Sequence, residues 1–86
     1  SPEDLIIREI DEAAEELLLA HLAEAITHLS PTQARRLHAR YALKKKFREI
    51  AADEGVSGSC ATESVTSAIR KLQKIFAKNG WLNKED

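Results

Sequence analysis

Eighty-six residues with a net charge of −1, one cysteine, two prolines and three glycines leave room for a single small domain and a modest core. Ala, Leu, Ile, Glu, Lys and Arg dominate, and β-branched and aromatic residues never alternate over a strand's length, so an all-α fold is expected. A lone Cys60 excludes an intramolecular disulfide, and no apolar run approaches the roughly 20 residues that span a bilayer. The near-neutral total conceals a division. Residues 1–30 hold eight acids and one base, whereas residues 31–86 hold twelve bases and six acids. One part repels polyanions and the other attracts them.

The first element opens on Ser1-Pro2-Glu3-Asp4, where a serine cap, a proline at the first position and two acids all favour a helix start. Its apolar stripe, Leu5, Ile6, Ile10, Ala13, Leu17, Ala20, Ala25 and Leu29, predicts a helix to about Leu29. Leu18, Leu22 and Ile26 widen the stripe. A break near His21 would make five helices of four. Ile7 and Leu19 fall off the stripe and offer a face to a partner helix. Residues 1–29 thus form an acidic N-terminal helix.

Ser30-Pro31-Thr32-Gln33 repeats the start signal, with Gln33 completing a capping box. The second helix is expected from Pro31 to about Leu43, with Ala34, Leu37, Tyr41 and His38 inward. Arg36, Arg40 and Lys44 fall every fourth residue and read as one basic stripe beside Arg35. Lys44, Lys45 and Lys46 occupy the connection. Phe47 to Glu54 is the third helix, with Phe47, Ile50 and Ala51 inward. Gly55 supplies a left-handed terminus. Val56 fills the corner and Ser57 caps the fourth helix, expected from about Gly58 to Lys78 on the stripe Ala61, Val65, Ala68, Ile69, Leu72 and Phe76. Asn79-Gly80 ends it, Trp81 and Leu82 fold back as core plugs, and residues 83–86 are a polar tail. Residues 30–82 are the basic portion of the same domain.

Helix, turn at Gly55 and helix together have the sequence form of a helix-turn-helix, which lays its second helix in the DNA major groove. Ala51 is small where the helices cross, and Ala61 and Val65 seat the second on the first. Ser57, Gly58, Ser59, Thr62, Glu63 and Thr66 are then left to face bases. Arg35, Arg36, Arg40, Lys44, Lys45, Lys46, Arg48 and Arg70 would hold phosphates. The reading set is poor in arginine, so affinity should lean on phosphate and be salt-sensitive. Other chemistry has little support. His21, His28 and His38 lack the spacing of a metal site, Cys60 has no histidine beside it in sequence, and no catalytic set converges. Neither an enzyme nor a cofactor is expected.

The runs Phe47-Arg48-Glu49-Ile50-Ala51, Glu54-Gly55-Val56-Ser57 and Glu63-Ser64-Val65, followed by Ala68-Ile69 and Lys71-Leu72, resemble region four of sigma factors of the sigma-seventy class. They are most similar to short sigma-like regulators of phages and mobile elements. Leu29-Ser30-Pro31-Thr32-Gln33-Ala34-Arg35-Arg36-Leu37 resembles that family's preceding helix, and the likeness covers about Ala25 to Leu72. It implies a four-helix domain that reads the promoter −35 element and packs on the β-flap of RNA polymerase. By position, Arg35, Arg36 and Arg40 match backbone-contacting sites, and Ser59, Thr62, Glu63 and Thr66 match base-facing ones. The family's base-reading arginines have no counterpart here, and Lys45-Lys46 stands where Leu-Ser is usual. No counterpart of promoter-melting region two is present, which leaves a fragment, a split sigma subunit, an activator or a repressor as alternatives. Residues 1–16 are acidic with no basic leader, so no signal peptide is expected. The resulting expectation is a cytoplasmic, nucleoid-associated bacterial or phage protein that binds duplex DNA in transcription and has no membrane partner. The competing expectation is an interaction module that pairs through its N-terminal helix with itself, as a homodimer, or with a polymerase subunit.

Overall fold

The computed structural model describes residues 2–81, with side chains from residue 11 onward. Four helices follow in order: α1 (Pro2–Ile26), α2 (Pro31–Tyr41), α3 (Phe47–Glu54) and α4 (Gly58–Asn79). No strand occurs among the described residues. The cap expected of Ser1, the inward placement of Leu5, Ile6 and Ile10, the outward face of Ile7, and everything beyond Trp81, including Leu82, lie outside what is described.

The start signals act as their chemistry predicts. The Ser30 hydroxyl accepts from the Gln33 amide N–H, and the Gln33 side-chain oxygen accepts from the Ser30 amide, both at 3.1 Å. Two helix-start donors are thereby satisfied reciprocally. The remaining Gln33 amide donates to Ser67 Oγ at 3.3 Å, which ties the start of α2 to α4. The Ser57 hydroxyl accepts from the Cys60 N–H at 3.0 Å at the start of α4. At α3, Glu49 accepts from the Lys46 N–H at 3.0 Å. Lysine has no acceptor to return, so that cap is one-sided.

Gly55 turns the chain between α3 and α4 at φ 65°. The Val56 N–H then reaches back to the Ala51 carbonyl at 3.0 Å, which closes the end of α3. Ala51 and Ala61, both buried, share a core cluster with Ile50, and Val56, Phe47 and Ala39 pack around it. Small side chains here let α3 and α4 approach closely. A second cluster joins Leu29, Leu37, Val65 and Ala68, with Ile26, Ile69 and Leu72 against it. Phe47 touches both clusters. α4 is the hub, since its buried stripe of Ala61, Val65, Ala68 and Phe76 receives the other three helices.

Several boundaries differ from expectation. α1 is one unbroken helix through His21 and stops at Ile26, because the amides of Thr27, His28 and Leu29 tighten to bonds three residues back. α2 stops at Tyr41. Beyond it the Leu43 N–H bonds to the His38 carbonyl and the Lys45 N–H to the Ala39 carbonyl, and Lys44 takes φ 58°. Tyr41 and His38, expected inward, are exposed, and Arg36 is buried instead. Leu17 and Leu18 are also out in solvent, on the wall of an open depression that α1 forms with Phe76 and Trp81. Trp81 folds back as expected. It stacks on His21 with ring centroids 4.2 Å apart and meets Phe76 edge-on at 5.5 Å, which seats the C-terminal half of α1 on the end of α4.

Candidate nucleic-acid interface

α4 is two-sided. At 100° per residue, Ser59, Thr62, Glu63, Thr66, Arg70, Gln73 and Lys74 fall within an arc of roughly 120° opposite the buried stripe. Every one of them is exposed. Ser57 and Gly58 are exposed at the helix start. All six residues expected to face bases therefore lie on open surface, four of them in one continuous band and Ser57 and Gly58 at its N-terminal end. Gln73 and Lys74 were missed in the sequence, although the spacing from Thr66 and Arg70 carries the same face on to them.

The polar groups of this band are not interchangeable. The Thr62 hydroxyl donates to the Gly58 carbonyl at 2.9 Å, so its remaining capacity is to accept. Glu63 is likewise an acceptor when ionised. The centre of the band thus offers acceptors, suited to the amino groups of cytosine or adenine. Ser57 differs, because its oxygen already accepts from Cys60 and its hydroxyl proton is left to donate outward. Beside the band an open depression is lined by Gln33, Cys60, Glu63, Ser67 and Arg70.

Arg36, expected to hold phosphate on an open stripe, stands elsewhere. Its side chain is 9% exposed. Nε donates to Glu54 Oε1 at 3.0 Å, and Nη1 donates to Ser64 Oγ at 2.6 Å and to Cys60 Sγ at 3.5 Å. One guanidinium thus joins α2, α3 and α4. The reason is steric and electrostatic together. A buried Arg must spend its donors, and Glu54, at the last turn of α3, is the carboxylate within reach. Arg35 donates to the same Oε1 at 2.6 Å from the solvent side. The Arg35 guanidinium, seconded by Arg36, holds the Glu54 carboxyl down at about 2, against partial burial that pushes it up. Glu54 in turn raises both arginines. The supposed stripe Arg36, Arg40 and Lys44 is therefore not one surface.

The other cations divide into two kinds. Lys45 Nζ is 2.7 Å from Asp53, which raises it, and its charge is locally balanced. Arg40 lies over the Phe47 ring at 4.2 Å and donates to the Lys45 carbonyl at 3.1 Å, so it braces the α2–α3 corner. Lys44, Lys46, Arg48 and Arg70 are exposed and make no ion pair among the described residues. These four are the expected phosphate residues that stay open to a polyanion, and Lys71, Lys74 and Lys78 on α4 are further exposed cations with no ion pair among the described residues.

Cys60 is half-buried against Arg36. Among the described residues no group of three or more His, Cys, Asp or Glu side chains is placed to hold a metal ion. No described helix is long and apolar enough to cross a membrane. No protein-family model and no curated protein sequence matches the chain.

Proposed function

We propose that this protein binds duplex DNA sequence-specifically in transcription. In this reading α3 and α4 act as a helix-turn-helix of the kind found in sigma region four, and the outward band of α4 enters the major groove. The observation that carries the reading is the sidedness of α4. Ser59, Thr62, Glu63 and Thr66 are all exposed, while Ala61, Val65 and Ala68 are buried against α2 and α3. The left-handed Gly55, the Val56 plug and the Ala51–Ala61 crossing support it, since each is what a tight bihelical unit needs. Lys44, Lys46, Arg48 and Arg70 would anchor phosphates, and Ser57 with the open amides at the start of α4 would bind one more. Arg36 and Arg40 hold the unit together in this reading. Partner contact with RNA polymerase belongs to the same proposal through the resemblance alone.

Selection of binding sites from a pool of random duplexes tests it. An enriched motif is expected, with amino-bearing bases opposite Thr62 and Glu63. The double substitution Thr62→Ala, Glu63→Ala should change the selected motif and leave the salt dependence of binding intact. Recovery of no motif, together with no retention of any duplex at low salt, would sink the proposal.

A further inference from the structure

Among the described residues, five large hydrophobic side chains stand more than half in solvent: Leu17, Leu18, Leu19, Tyr41 and Leu43. They fall in two places of opposite charge. The three leucines sit mid-way along α1, where every residue from Asp11 to Ala20 is exposed, Asp11, Glu12, Glu15 and Glu16 precede them, and no Lys or Arg occurs between positions 9 and 34. Tyr41 and Leu43 sit at the end of α2, directly before Lys44, Lys45 and Lys46. Among the described residues, only Lys45 of these lysines is paired, with Asp53.

An apolar groove between α1 and α2 adjoins the second place. Leu22, Ile26, Leu37, Tyr41, Ile69 and Leu72 line it. On the α1 wall, Leu19, Leu22 and Ile26 are spaced by three and four, so the exposed Leu19 continues the groove's own stripe.

A single copy cannot seat the leucine turn in its own groove, although Leu19 borders it by helical spacing. α1 is unbroken from Pro2 to Ile26, so the leucine turn cannot fold back onto the corner without melting a helix. Pairing α1 with α1 alone would set acid against acid. A foreign acidic helix would fill the groove and leave the leucines bare, and a basic one would do the reverse. A second copy satisfies both surfaces at once, and the exchange is reciprocal, as a two-fold interface requires.

We propose that the chain forms a two-fold dimer in which the Leu18–Leu19 side of α1 in each copy enters the α1–α2 groove of the other, with Glu12 and Glu15 beside it facing Lys44 and Lys46. Leu17 turns the other way, toward Phe76 and Trp81 of its own copy. This assembly would compete with duplex DNA for Lys44 and Lys46, so its test uses no nucleic acid and its failure leaves the DNA reading standing.

The experiment is sedimentation equilibrium of the full chain from micromolar to submillimolar concentration, at low and at half-molar salt. A monomer–dimer equilibrium is expected, weakened roughly tenfold by the high salt as screening sets in. Two charge-reversed chains provide the decisive comparison. One carries Glu12→Lys, Glu15→Lys and Glu16→Lys, and the other carries Lys44→Glu and Lys46→Glu. All five sites are exposed, and circular dichroism checks that both chains stay folded. Each chain alone should be monomeric. Their mixture should form a one-to-one dimer at least about tenfold tighter than either alone, because both halves of the exchange are restored. Three outcomes would overturn the proposal: wild-type chain monomeric throughout, the lysine-reversed chain dimerising as well as wild type, or a mixture that fails to assemble.

Discussion

If the protein binds duplex DNA as proposed, the salt dependence of that binding follows from which cations are already spent. If all eight residues expected from the sequence to hold phosphates did so, log K would fall with log salt at a slope near −7, at roughly −0.9 per phosphate. The structure leaves Lys44, Lys46, Arg48 and Arg70 exposed and unpaired among the described residues, while Arg36 is buried and Lys45 is balanced by Asp53. Four contacts give a slope near −3.6, so raising salt from 50 to 200 mM should weaken binding about 150-fold, rather than the roughly 20,000-fold of eight contacts. Fluorescence anisotropy with one labelled duplex over that range measures it. Arg48→Ala and Arg70→Ala should each reduce the slope by about 0.9, whereas Lys45→Ala should leave it nearly unchanged. A wild-type slope near −7, or a Lys45→Ala slope reduced as much as that of Arg48→Ala, would refute the division into spent and free cations.

Other consequences concern stability. The Glu54 carboxyl sits at about 2 in the fold against an ordinary 4.5. A depressed carboxyl contributes stability above the unfolded value and loses it as pH falls through the folded one. Urea midpoints should therefore drop between pH 4.5 and 2 in the wild type and stay flatter in Glu54→Gln, which starts less stable at neutral pH. Gly55→Ala should cost about 1 kcal/mol by thermal melting, because φ 65° is strained for alanine even though nothing lies within 4 Å of an added Cβ. Gly58→Ala, equally uncrowded and without positive φ, should be neutral or slightly stabilising in the same melt. Val65→Ala, at a site 1% exposed, should cost about 2 kcal/mol in a chemical melt through lost burial and the cavity left behind.

Features written in a few neighbouring residues were legible before the structure. Ser30-Pro31-Gln33, Gly55 and Ser57 each act over three or four positions, so their geometry follows from local chemistry. The α4 stripe was equally plain, because period and burial coincide over its length. Arg36 was not legible. Its partners Glu54 and Ser64 lie 18 and 28 positions away, and an arginine every fourth residue beside others reads as solvated surface. Leu17 and Leu18 failed for a related reason. Periodicity says which side of α1 is apolar, and says nothing of how far the neighbouring helices reach along it. Tyr41 was misplaced because α2 ends there, two residues early, at a Lys-rich corner whose left-handed Lys44 no turn signal announces.

In the proposed DNA reading, the Arg36 clamp would bear on discrimination as well as on cohesion. A hub helix such as α4 could roll about its long axis on a smooth bed of alanines and valines at small cost. With side-chain tips roughly 5 Å from that axis, a roll of about 10° displaces them by about 1 Å, enough to spoil a hydrogen bond to a base edge. Arg36 grips Ser64 on α4 at 2.6 Å while it is itself anchored to Glu54 on α3. The guanidinium works as a detent that indexes the dial: it fixes the heading at which Thr62 and Glu63 present their acceptors. Arg36→Lys, able to keep one charge but not both grips, should therefore blur the selected motif before it unfolds the protein.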